Sequence, residues 1–216
     1  MAEIWLTSDT HLGHDFVSRL RGFENHVEHD AHLARVWDKR VRDDDEVWVL
    51  GDVAMNGWAD RMQWFSKRPG IKHLVLGNHD RAHPSRKNAH RHLKHFTPHF
   101  DTVQTSARLE NILLSHFPYD GDHGEDRHTQ WRLRDEGAPL AHGHLHDDVK
   151  ARLSALGTPM VHVGLDAWGL SPVTLHDVKT QFIGLFQEKS KPEPEPEPDE
   201  FEYITPDEGL RFGWSV

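Results

Sequence analysis

The chain has 216 residues, 36% of them hydrophobic, and a formal net charge of −10. That length can bury a core in one domain with some chain left over. It contains no cysteine, which excludes a disulfide framework and any thiolate metal site. The acidic balance argues against stable binding of long nucleic acid, because proteins that grip successive phosphates carry a basic face, although a local patch can sit within an acidic whole. No apolar run approaches the ~20 residues of a membrane-spanning helix. The first residues run straight into a strand pattern rather than a signal peptide. The expectation is a cytoplasmic protein with no membrane partner.

In chain order, residues 3–8 read as a buried first strand, and 9–15 as a polar loop containing Gly13. Residues 27–41 read as an amphipathic helix, with Val27, Ala31, Ala34, Trp37 and Val41 at three- and four-residue spacing. Asp43-Asp44-Asp45 is a solvated loop before a second strand, 46–50, which ends at Gly51-Asp52. Residues 58–66 read as a helix stopped near Pro69-Gly70, and 71–76 as a third strand ending at Gly77-Asn78. Residues 85–96 look helical, and 100–108 and 110–115 look like two strands, consistent with a hairpin. Residues 117–128, rich in Gly, Asp and His, read as an exposed loop. Strands follow at 138–142 and 159–163, then a closing helix at 175–188 with Leu175, Val178, Phe182, Leu185 and Phe186 on one face. Trp37, Trp48 and Trp64 read as core or boundary aromatics, and Trp168 as a packing residue first, with lining of the pocket as the alternative.

This alternation points to an α/β layered fold. The first three strands look apolar on both faces, as in a sheet covered by helices on both sides. In open α/β sheets ligands gather at the carboxyl ends of the strands, where Asp9, Asp52 and Asn78 fall. We place the domain at 1–190. Residues 191–199, Lys191 followed by Pro-Glu repeats and Asp199, read as an extended, stiff spacer that cannot form a core. Residues 200–216 carry Phe201, Tyr203, Ile204, Leu210, Phe212 and Trp214, and read as an apolar segment that docks on the domain or on a neighbouring subunit of a homo-oligomer.

Five short polar motifs close the apolar runs: Asp9-Thr10-His11, Gly51-Asp52, Gly77-Asn78-His79-Asp80, Ser115-His116 and Gly143-His144-Leu145-His146. They supply the Asp, His and Asn ligand types that hold divalent metals. Two such ions about 3.5–4 Å apart can clamp the attacking and leaving oxygens of an in-line displacement at phosphorus. With Asp9 and Asp52 as the carboxylates, a two-ion site carries about +2 before water binds, which suits an anionic ester. Among the 20 histidines, others such as His83, His90, His92, His95 and His99 read as solvated surface residues.

Together the five motifs resemble those of the calcineurin-like metallophosphoesterases, over about residues 3–175. The stretches Thr7-Ser8-Asp9-Thr10-His11-Leu12-Gly13-His14 and Val163-Gly164-Leu165-Asp166-Ala167-Trp168 are similar to a small bacterial and bacteriophage branch of that family. The resemblance implies a four-layer α-β-β-α sandwich of two mixed sheets, with a dinuclear metal site at strand ends. It implies Asp9, His11 and His146 on one metal, Asn78, His116 and His144 on the other, and Asp52 bridging both. His79 would then serve the leaving-group oxygen and Asp80 would orient His79, while His14 and Arg81 are candidates for phosphate contact or ordinary loop residues. The metals would be Mn first, with Fe, Zn, Ni or Co also compatible. The continuation Val53-Ala54-Met55 after Gly51-Asp52, and Asp80 after His79, differ from members acting on phosphoproteins. The expected activity is therefore hydrolysis of small phosphodiesters by a metal-activated hydroxide, with cyclic nucleotides (2′,3′ or 3′,5′) favoured. A nuclease or broad phosphomonoesterase is the alternative, followed by a non-catalytic metal-binding scaffold.

Overall fold

A computed structural model describes residues 2–122 and 124–189 and resolves ten strands into two sheets of five. The expected spacer 191–199 and segment 200–216 lie outside the described residues. The chain begins with β1 (Ile4–Thr7), α1 (Asp15–Leu20), α2 (His26–Arg40) and β2 (Glu46–Val49). The Asn25 side chain starts α2 by accepting the Val27 and Glu28 amides at 2.9 and 3.1 Å. Next come α3 (Trp58–Arg61), α4 (Gln63–Ser66), β3 (Ile71–Val75), α5 (Ala89–His92), β4 (Thr102–Gln104), β5 (Ser106–Leu109), β6 (Ile112–Ser115) and β7 (Leu140–His142). The described chain closes with β8 (Ala151–Leu153), β9 (Pro159–His162), β10 (Val173–Thr174) and α6 (Leu175–Lys189).

The first sheet has the order β10-β1-β2-β3-β4, with β10 antiparallel to β1 and the remaining pairs parallel. The second has the order β5-β6-β7-β9-β8, with parallel pairs at its centre and antiparallel pairs at both edges. Alternation along the strands divides their side chains between two cores. Trp5, Val47, Val49 and Leu74 pack with Leu33 and Trp37 of α2 and Phe65 of α4. Leu6, Trp48 and Val75 turn the other way, onto Ile112, Leu114, Ala141 and Val161 of the second sheet and Val178 and Phe182 of α6. A smaller cluster sets Tyr119 and Leu133 against Leu113, Leu140 and Met160 of the second sheet.

The first sheet is therefore covered by helices on one face and by a second sheet on the other; the two mixed sheets are those the family resemblance implied, in place of the open sheet that the strand pattern suggested. Both arrangements bury both faces of β1–β3, so the apolar pattern does not distinguish them. The expected strand 100–108 divides into β4 and β5, and the chain passes there from one sheet to the other. The hairpin is β5–β6, with Ser106 opposite Ser115 and Leu109 opposite Ile112. The helix expected at 58–66 breaks into α3 and α4, and that at 85–96 is helical over Ala89–His92, followed by a 3-10 turn, Leu93–His95. In α2 the buried residues are His29, Asp30, Leu33 and Trp37, whereas Val27 is 65% exposed. The face was misassigned because two polar residues are drawn inward by partners from distant segments. No helix among the described residues is long and apolar enough to cross a membrane.

Candidate metal centre

The carboxyl ends of parallel strands from both sheets meet at one place. β1 delivers Asp9 and His11, β2 delivers Asp52, β3 delivers Asn78, His79 and Asp80, β6 delivers His116, and β7 delivers His144 and His146. β1, β2 and β7 turn sharply as they end. Asp9, His11, Asp52, His144 and His146 all adopt left-handed φ, between 44° and 76°. That region is uncommon for residues with a Cβ, and its concentration here marks stored strain of the kind found at functional sites. Gly143 permits the close approach of β7 to β1, since a Cβ there would collide with Ser8 Oγ and lie 2.6 Å from Asp9 Oδ2.

All seven expected ligands are brought together. His11 Nε2 and His146 Nε2 face each other at 3.0 Å and lie 3.8 and 3.7 Å from Asp9 Oδ1. Asp52 Oδ2 lies 3.8 Å from His11 Nε2 and 3.5 Å from His116 Nε2, between the two groups of ligands. Its Oδ1 accepts the His79 backbone N–H at 2.8 Å. Asn78 Oδ1 is 3.0 Å from His116 Nε2, and the His144 ring lies 5.2 Å from that of His116. Two overlapping sets, Asp9-His11-His146 and Asp9-Asp52-His116, each have their ligand atoms close enough to hold one cation.

The donor set fits divalent cations. Asp9 Oδ1 is fully buried with no hydrogen-bond partner among the described residues. His116 Nδ1 is engaged by the Leu50 carbonyl at 2.8 Å and His146 Nδ1 by Asp166 Oδ2 at 2.9 Å, which turns both Nε2 atoms to the centre. Burial, reinforced by His146, pushes His11 well below its ordinary range, and burial with His116 lowers His144 to about 3. Both imidazoles are thus neutral and their lone pairs available. Burial works to raise Asp9, yet His146, His116 and His11 hold its carboxyl well below the usual carboxylate range. Asp52 is raised by burial, against the attraction of His116. His116 and His146 are raised despite burial, the first by Asp52 and Asp9, the second by Asp166 and Asp9. A cation among these carboxylates would take the place of those protons.

His79 is more exposed than the ligands, and its Nε2 lies 3.9 Å from Asp52 Oδ2. It opens on a cleft of about 250 Å³ lined also by Ala54, Met55, Asn56, Arg81 and Arg86. The His14 ring is 5.5 Å from that of His11. Asp80 departs from its expected role. Its carboxylate accepts the backbone N–H groups of Gly77, Asp52 and Val53 at 2.8, 3.1 and 3.0 Å rather than the imidazole of His79. It ties the end of β2 to the end of β3 and so places Asp52. Burial and the Asp52 charge raise the Asp80 carboxyl to about 7.

Several residues at the site have no local sequence signal. Arg21, whose side chain is 3% exposed, donates to Asp166 Oδ1 and Oδ2 at 2.8 Å each and to the Asp9 carbonyl at 2.9 Å. Arg21 also meets His29, which leads through Asp30 to Arg61, and this chain explains the buried polar face of α2. The 117–128 segment, expected to be an exposed loop, buries Phe117 and Tyr119. It also buries the Asp122 side chain, which lies 3.3 Å from His144 Nε2. His83, expected at the surface, is 2% exposed and packs its ring between Phe117 and Trp131. Trp168 packs as expected, donating Nε1–H to the His162 carbonyl at 2.7 Å.

No family model matches the chain. It is 44% identical over 185 residues to the Gene 66 protein of Mycobacterium phage L5, covering 78% of this chain and 89% of that protein. It is 45% identical over 181 residues to the Gene 66 protein of Mycobacterium phage D29, covering 78% of this chain and 90% of that one. A crystal structure of a protein of unknown function from Aquifex aeolicus shares its fold, with a TM-score of 0.59 at 21% identity over 83% of this chain and 99% of that one. The extent and identity of the phage matches make this chain a member of the mycobacteriophage Gene 66 protein family.

Proposed function

We propose that the protein is a metal-dependent phosphodiesterase of the calcineurin-like metallophosphoesterase kind, acting on small phosphodiesters, with cyclic nucleotides favoured. The observation that carries the proposal is the pair of overlapping ligand sets, which share Asp9, with Asp52 Oδ2 of the second set 3.5 Å from His116 Nε2 and 3.8 Å from His11 Nε2 of the first. In this reading Asp9, His11 and His146 would hold one ion, Asn78, His116 and His144 would hold the other, and Asp52 would serve both. When bound, such ions supply Lewis-acid stabilisation of the phosphoryl oxygens and lower the pKa of a water. The four-layer sandwich belongs to the same reading, and α2 against the first sheet supports it.

The protein's own groups do the rest. Asp52 is immobilised by the His79 amide and, through the backbone, by Asp80. Asp166 fixes the ring of His146, and the Leu50 carbonyl fixes that of His116. His79 presents Nε2 to the oxygen of the departing alcohol, donating a proton or hydrogen bond as the P–O bond breaks.

Purified protein loaded with Mn²⁺ is expected to hydrolyse bis(p-nitrophenyl) phosphate, with activity lost on chelation. His79→Ala is expected to keep its metal while the rate falls roughly 10²–10⁴-fold. Loss of bound metal in that variant would refute the role given to His79. Absence of turnover with Mn²⁺, Fe²⁺, Co²⁺, Ni²⁺ and Zn²⁺ alike would establish a scaffold instead.

A further inference from the structure

The cleft beside His79 carries more positive charge than one phosphodiester needs. Arg81 and Arg86 both line it. Arg86 is anchored, its Nε donating to the Asn78 carbonyl at 2.6 Å, so its guanidinium is held at the edge of the centre. Arg21, Arg61, Arg127, Arg132 and Arg152 each pair with a carboxylate. Arg81 and Arg86 pair with no carboxylate among the described residues, as is also true of Arg19, Arg35, Arg40, Arg42, Arg91 and Arg108, but of these eight Arg81 and Arg86 are the two that line the cleft beside His79. The surrounding sequence has the same bias. From Arg81 to Phe100 the chain holds Arg81, Arg86, Lys87, Arg91 and Lys94 and no Asp or Glu, in a protein of net charge −10. Trp58, two residues beyond Asn56, fastens this segment to the cleft wall, with its ring 5.5 Å from His92, 5.2 Å from His95 and stacked on Phe96 at 5.5 Å.

We propose that this cleft is a subsite for a second phosphate of the substrate, next along the chain from the diester held at the ligand cluster. The inference rests on the phosphodiesterase reading and moves its favoured substrate away from cyclic nucleotides, which carry a single charged diester. The favoured substrate is then a short oligonucleotide or a phosphorylated nucleotide, not an ester with a single charge. A guanidinium offers paired N–H groups that match phosphate oxygens, and two of them in one cleft offset locally the repulsion that the net negative charge exerts on a polyanion. The cleft volume of about 250 Å³ lies just under the ~300–1,000 Å³ of small-molecule sites, which suits a phosphate with part of a sugar.

The test is equilibrium binding, measured by calorimetry on the full Mn²⁺-loaded chain with phosphorothioate thymidine oligonucleotides that resist cleavage. A dinucleotide has one internal phosphorothioate, a trinucleotide has two, and a 5′-phosphorylated dinucleotide has one internal and one terminal group. The wild type is expected to bind at least one of the two-group ligands about tenfold more tightly than the dinucleotide, as a charge-assisted contact warrants. Whichever ligand gains tells whether the seated group is internal or terminal. Arg81→Ala is expected to erase the gain and to flatten the dependence of log Kd on log salt by about 0.7, whereas Arg81→Lys keeps part of both. Equal affinity for all three ligands, or a gain that survives Arg81→Ala, would overturn the subsite. Failure to hydrolyse bis(p-nitrophenyl) phosphate would instead sink the phosphodiesterase reading, and the binding comparison would still decide the subsite.

Discussion

Asp166→Asn gives a sharp test of the paired-ion arrangement because Asp166 touches one ligand set and not the other. Its Oδ2 accepts from His146 Nδ1 at 2.9 Å and from Arg21 Nη2 at 2.8 Å, and its Oδ1 accepts from Arg21 Nε at 2.8 Å. The substitution keeps the volume and removes the charge. An amide has one acceptor oxygen, so in either orientation its NH2 faces a donor and at least one of these bonds is lost. Partners of this kind to a ligating histidine are worth about 10–100-fold in metal affinity, or roughly 1.4–2.7 kcal/mol. The buried Arg21 side chain, 3% exposed, also loses its counter-charge. Breaking a buried pair costs ~3 kcal/mol at the lower end of the measured range, and at roughly 2–4 °C per kcal/mol this lowers Tm by about 6–12 °C. Calorimetric titration with Mn²⁺ is expected to show one site weakened 10–100-fold and the other unchanged within about twofold, while melts in chelator show the lower Tm. Equal weakening of both sites, or an unchanged Tm, would refute the assignment of His146, Asp166 and Arg21 to one ion.

Asp80→Asn leaves at least one of three buried backbone N–H groups unpaired, so in chelator it is expected to cost about 1–3 kcal/mol. Metal affinity and rate should fall with it; loss of rate alone, with Tm and metal intact, would return Asp80 to the role of orienting His79. His83 is held down to about 4 by burial, with His116 and Arg86 contributing. The unfolded chain therefore takes up this proton first, so the stability His83 contributes is full above pH 6.5 and is lost as pH falls towards 4. His83→Phe is expected to flatten the decline in Tm across that window in chelator, and an unchanged slope would count against the buried neutral imidazole. Gly143→Ala places a methyl against Ser8 and Asp9, and is expected to destabilise by about 1–3 kcal/mol and to abolish Mn²⁺ binding at the Asp9 site. Normal affinity in calorimetry would show that the β1–β7 approach is not needed.

The strand ends were legible because each apolar run stops at a polar motif, and the resemblance of those motifs to the metallophosphoesterases singled out the seven side chains that the structure brings together. Asp80 was misplaced because its neighbour in sequence, His79, is not its partner; its carboxylate reaches backbone amides across two strand ends. Val27 was placed on the inner face of α2, where His29 and Asp30 lie instead, because a helical pattern cannot show that Arg21, Gly13 and Arg61 wait on the inside. The edge strand β8 has 3 residues and β10 has 2, too few to impose a period on the sequence.

Sequence by itself determined the strands β1, β2 and β3 of the first sheet and the chemistry of the residues at their carboxyl ends. These follow from local pattern and side-chain type, which each segment carries alone. Strand pattern did not separate one sheet from the two that the family resemblance implied; only the tertiary structure decided which carboxylate serves which histidine, and that Arg81 and Arg86 line the cleft beside His79. Those depend on contacts between distant residues, such as Arg21 with Asp166, which lie 145 positions apart. Nothing in either segment alone carries that information.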